Sequence, residues 1–377
     1  MPPIRYHHGK FPPENLNWNH IVPLIEPATL AIGEFKGLLD AIPNSEVLLS
    51  PLTVQEAVLS SRIEGTQATL GEVLEFEAGG KRSNSQEKID DIREVLNYRR
   101  AIFKATARLK EIPLCGRLLK EAHAILMEGV RGVDKAPGQY KKTPNAIGPP
   151  GCDLKTAKYL PIEPERLEEG MRVWEKFLHS KQPNVLIQLG LVHAEFESLH
   201  PFLDGNGRLG RMILPLFLYE RKVLSFPAFY LSEYLELHKE EYTERLLAVS
   251  RDDDWTGWTV FFLRAVEKQA RENTRKARAI MQLYEYRKKW IQEKTHSQYG
   301  VAVIDYLFSQ PIFKATDLGS RQNVPPPTRK RILREIRDEL LTELSPASGP
   351  RSAIYAYQEL LNITEERKIA SGSQINH

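Results

Sequence analysis

The chain is poor in cysteine, with two among 377 residues, Cys115 and Cys152. They lie far apart and outside any metal-ligand spacing, which excludes a disulfide framework and suits a reducing compartment. Long apolar runs are missing as well. No stretch approaches about 18 consecutive apolar residues, so there is no candidate membrane span. The opening Met1-Pro-Pro-Ile-Arg-Tyr-His-His lacks the apolar core of a signal peptide. A cytoplasmic protein is expected. Charge excess is also absent: 52 basic against 49 acidic residues leave a net +3. Global charge therefore argues neither for nor against nucleic acid. Internal repeats and low-complexity tracts are lacking. What is present is the composition of a soluble globular protein, long enough for two or three domains.

Residues 1–25, rich in Pro and Asn, predict an extended arm. Helical spacing begins with Leu30, Phe35, Leu38 and Leu39 and is punctuated by Pro43-Asn44. Ser50 as a cap, Pro51 at the first position and Gly65 just past the end bracket a second helix reaching Ile63. Further helices are expected over about 69–78, 87–110, 114–128, 164–180 and 183–198, from Asn206 to Arg221, over 238–249, and from Trp255 to about 293. The turn formers that fill 138–162, with Ala157-Lys-Tyr-Leu-Pro as a short strand, predict an exposed hairpin inserted among helices. Beyond Thr295, short helices at 301–308 and 316–320 precede a basic helix from about Thr328 to Leu341. A hairpin turning at residues 345–350 follows. That is the order of a winged helix-turn-helix. The expected fold class is mainly α, with a helical region over 1–110, a core over 111–295 and a winged-helix-like domain over 296–377.

Residues 200–211 read His-Pro-Phe-Leu-Asp-Gly-Asn-Gly-Arg-Leu-Gly-Arg. Twelve residues thus hold an imidazole, a carboxylate, three glycines, an amide and two guanidinium groups. Gly205, Gly207 and Gly210 formally match a dinucleotide fingerprint, but the segment before them reads as helix where that motif needs a strand. A P-loop fails because Arg211-Met212 stands where Lys-Ser/Thr is required. An EF-hand loop starting at Asp204 fails at Leu209 and Pro215, the turn-glycine and final-glutamate positions. What survives is the physics these motifs share. Glycines admit a phosphate close to the backbone, and the N–H groups that open a helix point at it. Arg208 and Arg211 share a helix face and could grip one polyphosphate. Asp204 offers a hard oxygen suited to Mg²⁺, and His200 can take a proton near neutral pH. The competing reading is an ordinary helix–loop–helix turn with a capping acid and surface ion pairs. A zinc site on His193, Glu197 and His200, at i, i+4 and i+7, is a further rival. It lacks the His-Glu-x-x-His pattern, and Pro201 ends the helix at its last ligand.

This stretch resembles the full signature of Fic-domain proteins, H-P-F-x-[DE]-G-N-G-[RK]-x-x-R, at every defined position. The resemblance implies transfer of AMP from ATP to a Ser, Thr or Tyr hydroxyl of a target protein, including the enzyme itself. His200 would be the general base and Asp204 would hold the Mg²⁺. Gly205, Asn206 and Gly207 would form the anion hole, and Arg208 and Arg211 would bind the β- and γ-phosphates. Leu209 and Gly210 complete the nucleotide-binding stretch, with Phe202 packed beneath it. Ser60-Ser61-Arg62-Ile63-Glu64-Gly65 is similar to the family's inhibitory motif, [ST]-x-x-x-E-[GN]. It implies that Glu64 pairs with Arg211 and denies it to the γ-phosphate, with Ser61 near the nucleotide. The hairpin at 138–162 resembles the family's flap, which pins a target segment by main-chain bonds. Leu231-Ser-Glu-Tyr and Glu240-Glu-Tyr242 resemble the elements flanking the adenine pocket, which implies nucleotide contacts for Glu233 and Tyr242. The larger, self-inhibited bacterial members are the nearest likeness, and a homodimer is expected.

Arg321, Arg329, Lys330, Arg331, Arg334 and Arg337 bracket the basic helix of 296–377, so DNA is a candidate partner. Glu335, Asp338 and Glu339 on the same helix dilute its field, and packing or protein contact is an equal reading. Two other functions stay open at this point. One is a DNA-binding regulator whose core only senses ATP. The other is removal of AMP from a modified protein, with Glu64 positioning a water.

Overall fold

The computed structural model describes residues 2–42, 44–80, 85–130, 135–149 and 151–365. Pro43 and Pro150, two of the expected turn formers, lie outside the described residues, as do the side chain of Arg321 and residues 366–377 of the expected third part. In chain order the elements are β1 (Ile4–Arg5), α1 (Trp18–Ala41), α2 (Ser45–Leu48), α3 (Ser50–Ile63), α4 (Leu70–Glu77), α5 (Gln86–Arg108), α6 (Gly116–Leu126) and β2 (Tyr159–Leu160). There follow α7 (Pro164–His179), α8 (Val185–Leu199), α9 (Asn206–Glu220), α10 (Ser232–Leu237), α11 (Lys239–Asp252) and α12 (Trp255–Thr295). The last are α13 (Gly300–Ser309), β3 (Ile312–Lys314), α14 (Pro326–Leu340), β4 (Thr342–Ser345), β5 (Ile354–Ala356) and α15 (Gln358–Glu365). The fold is mainly helical.

The chain divides into two compact units. One comprises Met1–Gly37, Leu59–Thr66 and Arg93–Asn273; the other comprises Leu38–Val58, Gln67–Ile92 and Thr274–His377. The first unit is organised around α8. Asn184 caps this helix by accepting from the Leu186 and Ile187 amides, each at 3.0 Å, which satisfies two of its orphan donors. Nearly every α8 side chain is buried, the polar Gln188, His193 and Glu195 included. Two indoles tie it to its neighbours: Trp174 donates to the Val192 carbonyl at 2.9 Å, and Trp258 donates to the Gly190 carbonyl at 2.8 Å. Position 190 must be glycine, because a Cβ there would sit 2.8 Å from the Phe262 ring. α9 is buried along most of its length, from Asn206 to Leu218.

The expected arm is shorter than 1–25. Helix α1 starts at Trp18 and continues through Pro23 and Pro27. Each proline removes a helical donor, but Ile21, Ala28, Ala31, Ile32 and Phe35 line one buried face, and that burial overrides the local preference. The true arm carries β1, which pairs in parallel with β2 in the register Ile4–Tyr159 and Arg5–Leu160. Three hydrogen bonds lock it down. His7 bonds Glu195 at 2.8 Å through Nε2 and Ser250 at 2.7 Å through Nδ1, and Tyr6 donates to Glu195 at 2.5 Å. The expected hairpin at 138–162 is present in reduced form: Ile147 bridges Tyr159 antiparallel, and apart from β2 the other described residues are turns, bends and coil.

In the second unit, Ser50 is the first residue of α3 and its hydroxyl donates to the Ser309 carbonyl at 3.4 Å, so it is no cap. Helix α4 opens on a capping box in which Thr69 and Glu72 satisfy each other's backbone amides. The segment after α12 runs helix, strand, two 3-10 turns, helix and antiparallel hairpin, with sheet order β3-β5-β4. The short helix expected at 316–320 is replaced by those 3-10 turns, at Ala315–Asp317 and Ser320–Gln322. Gly319 between them has φ +67°, which breaks a continuous helix. On α14, Arg331 pairs with Glu335 and Arg337 with Asp338, while Lys294 of α12 pairs with Glu339.

Candidate active site

α8 stops where the sequence places Pro201, since the residue before proline is driven out of the α region. His200 takes up the left-handed conformation at φ 47° and ψ 61°. Residues 201–205 then turn the chain, and Gly205, at φ 75°, opens α9. Asn206 closes the loop upon itself: its Oδ1 accepts from the Phe202 amide and its Nδ2 donates to the Phe202 carbonyl, both at 2.8 Å. No side chain caps α9, which leaves amides of its first turn without a side-chain partner.

The state of His200 follows from its contacts. Nδ1 lies 3.3 Å from the Glu197 carbonyl, which can only accept, so Nδ1 carries the proton and Nε2 the lone pair. Burial, with the Lys141 ammonium adding to it, pushes the imidazole down to about 4. His200 is thus a neutral base at physiological pH. Asp204 has a half-exposed carboxylate at the start of α9, with Oδ1 accepting from the Gly205 amide at 2.5 Å. Such a hard, accessible oxygen fits a Mg²⁺ ion that binds one carboxylate plus phosphate oxygens.

The two arginines diverge in their partners. Arg211 is 1% exposed; its Nε donates to the Ser60 hydroxyl at 2.9 Å and its Nη2 to the Ser60 carbonyl at 2.8 Å. Nη2 also bonds Glu64 Oε1 at 2.6 Å. Burial alone would raise the Glu64 carboxyl, but the charge and hydrogen bond of Arg211, helped by Arg208 and His200, hold it below the usual carboxylate range. Because the Glu64 side chain is 39% exposed, water screens the pair in part. A Cβ at Gly207 would collide with Glu64 Oε1, so the carboxylate rests directly on the first turn of α9. Arg208 turns the other way, with Nη1 bonding Glu94 at 2.8 Å and the Asp204 carboxylate 3.7 Å away.

Glu197 stands beside this pair. Burial and the nearby Glu64 charge outweigh Arg211 and push its carboxyl up to about 7, and its Oε1 has no hydrogen-bond partner among the described residues. His193 donates from Nδ1 to the Gly210 carbonyl at 3.1 Å and accepts from the Tyr242 hydroxyl at Nε2 at 2.9 Å. Both ring nitrogens are engaged, which disposes of the zinc reading. No group of three or more His, Cys, Asp or Glu residues suited to a metal occurs among the described residues.

The remaining sequence-predicted residues fall as follows. Ser60 and Glu64 both reach Arg211, and Gly65 has φ 107° just past the end of α3. Ser61 is buried with an unpartnered hydroxyl. Glu233 accepts from Gln269 at 3.1 Å, and Tyr242 donates to His193 at 2.9 Å and feels the charges of Glu197, Arg211 and Glu64. Leu209 is fully buried, and its amide donates to the Gly205 carbonyl at 3.1 Å.

Three groups were missed. His123 accepts from the Gly138 amide at Nδ1 and donates to the Asp204 carbonyl at 2.9 Å from Nε2, while stacking on Phe202 at 3.9 Å. Burial pushes it down to about 4, so it is neutral. Glu94 and Lys141 complete the set. A single sequence carries no signal for these, since each acts across 58 to 114 residues of chain.

A neutral imidazole, an accessible carboxylate and a glycine-rich helix start are gathered at one loop. Comparison with known proteins is specific. Residues 22–107 match the Fic/DOC family N-terminal region and residues 113–218 match the Fic/DOC family. The chain belongs to the Fic/DOC family. Protein adenylyltransferase Fic of Nematostella vectensis is 36% identical over 80 residues, covering 20% of this chain and 17% of the relative. Its counterpart from Drosophila grimshawi is 26% identical over 207 residues, covering 52% and 40%. The chain therefore spans less than half the length of these curated relatives. Among solved structures, a Fic family protein from Desulfovibrio desulfuricans aligns with TM-score 0.60 at 20% identity, covering 96% of this chain and 99% of that one. A Fic domain containing signaling protein from Bacteroides thetaiotaomicron aligns with TM-score 0.54 at 16% identity, covering 68% and 97%. These likenesses establish the fold. Among the described residues, no helix is long and apolar enough to cross a membrane.

Proposed function

We propose that this protein transfers AMP from ATP to a hydroxyl of a target protein and is held back by its own Glu64. The observation that carries this reading is the 2.6 Å pair between Glu64 and Arg211 beside a neutral His200. A hydroxyl of Ser, Thr or Tyr would lose its proton to His200 Nε2 as its oxygen attacks the α-phosphorus. The new O–P bond forms while the bond to the pyrophosphate oxygen breaks, and the proton later passes to solvent. Gly205, Asn206 and Gly207 would hold phosphate oxygens at the start of α9, where backbone donors need no reorganisation. Arg208, already oriented by Glu94, would face the same phosphates, and Arg211 would join them once freed from Glu64. Mg²⁺ held by Asp204 would neutralise phosphate charge. The segment around Ile147 and Tyr159 would receive the target's main chain as an added strand.

The test is incubation with ATP labelled at the α-phosphate. Wild type should label protein weakly, Glu64→Gly strongly, and His200→Ala with Glu64→Gly not at all. Strong labelling by the double variant would remove His200 as the base.

A further inference from the structure

The catalytic loop leaves α8 with four successive carbonyls, those of Leu199, His200, Pro201 and Phe202. All four are bonded by two residues at the base of the inserted hairpin. Lys141 Nζ donates to the Leu199 carbonyl at 3.2 Å and Lys141 N donates to the Pro201 carbonyl at 2.9 Å. Asn145 Nδ2 donates to the His200 carbonyl at 3.2 Å and to the Phe202 carbonyl at 2.9 Å. Lys141 Nζ also donates to Asn145 Oδ1 at 2.8 Å, which fixes the amide so that its NH₂ faces the loop. We propose that Lys141 and Asn145 are positioning residues that clamp the loop carrying His200 and set the direction of its imidazole.

Three arguments support this. Lys141 is 3% exposed, and burying an ammonium opposes folding, so stability alone is a poor reason for its presence. Burial pushes it down to about 7, the mark of an ammonium held where water is scarce. Its site, the C-terminal end of α8, is where a cation meets the helix dipole favourably. His200 is also a non-glycine residue in the left-handed region, a strained conformation that persists only when its surroundings impose it. Bonds to the carbonyls on both sides of His200 do this.

The inference rests on His200 as the base, so the test reads both activity and loop order. In the full chain carrying Glu64→Gly, Lys141→Met and Asn145→Ala are compared with Lys141→Arg. AMP incorporation should fall by about 30-fold at saturating ATP in the first two, with the half-saturating ATP concentration within about threefold, since displacement by about 1 Å costs on that order. Lys141→Arg should recover most of the rate. Amide hydrogen exchange at residues 200–206, measured without ATP, should rise at least about tenfold in Lys141→Met and Asn145→Ala. If Glu64→Gly transfers no AMP but exchange still rises, the base assignment fails and the clamp stands. Unchanged exchange, or an unchanged rate at saturating ATP, overturns the clamp. So does a loss of rate matched by an equal loss of ATP binding.

Discussion

Replacing Glu64 by glycine should both weaken the folded protein slightly and release the enzyme. Arg211 is 1% exposed and Glu64 39% exposed, at 2.6 Å. Removing one partner of a fully buried pair costs about 3–5 kcal/mol, whereas an exposed pair is worth at most about 1 kcal/mol. This half-screened pair should lie between them. Arg211 also keeps both bonds to Ser60, which argues for the lower part of that range. We expect a loss of about 1–3 kcal/mol in unfolding free energy without nucleotide, including a few tenths for the freer glycine backbone. A γ-phosphate no longer has to displace the carboxylate, and since about 1.4 kcal/mol is tenfold in rate, AMP incorporation should rise roughly 10- to 100-fold. The rise in melting temperature on adding Mg²⁺ and ATP should also be larger in the variant than in wild type. Glu64→Gln separates charge from bulk: it keeps the volume near Gly207, so it should release only part of the activity. The assay is incorporation of α-labelled ATP at matched protein concentrations. Equal labelling by wild type and Glu64→Gly would refute the account of Arg211 as a withheld phosphate ligand.

His200→Ala should abolish transfer while leaving the calorimetric affinity for Mg²⁺–ATP within about threefold, because the phosphate contacts proposed above lie on other residues. Loss of both would assign the residue to binding. Three largely buried histidines, His123, His193 and His200, are held at about 4, 3 and 4. Unfolding lets each bind a proton from about pH 6.5 downward, so their stabilisation is full above that value and is lost as pH falls toward about 4. Glu197, pushed up to about 7, has the opposite sign and partly offsets them between its ordinary range and pH 7. Urea midpoints should therefore fall from pH 7 to pH 5, and more steeply in Glu197→Gln; equal midpoints would contradict the burial of these rings. Gly210→Ala should destabilise the fold by about 1–3 kcal/mol, since its Cβ would strike Glu197 Oε1 and approach Phe196 at 3.2 Å. An unchanged urea midpoint would show that Glu197 can swing away freely.

Much of the site could be read in the sequence because its chemistry is local. Residues 200–211 follow one another, and Pro201, Gly205 and Asn206 each dictate their own backbone. Glu64 was legible for a different reason, since its short motif gained meaning only beside the loop that contains Arg211. The rest depends on contacts that no local pattern records. Glu94, Lys141, Asn145 and His123 sit in segments whose composition suits any solvated helix or turn. The arm ends before Trp18 rather than at 25: the Pro and Asn content of 1–25 masks the apolar spacing of Ile21, Ala28 and Ile32, which burial favours. At 316–320 the helical reading ignored Gly319, whose left-handed backbone splits the stretch into two tight turns.

Glu64 and Arg211 are separated by 147 positions but belong to one polypeptide. Their association is therefore unimolecular. Diluting the protein does not loosen it, and the carboxylate reaches the guanidinium at an effective concentration that a diffusing anion cannot easily match. A phosphate group competing for Arg211 must arrive with several contacts of its own, as the tail of a nucleotide anchored elsewhere would. The other route is mechanical. Lys239 holds the last turn of α3 by donating to the Ile63 carbonyl at 2.5 Å, so a partner that draws that helix end away would remove the competitor without ever entering the site.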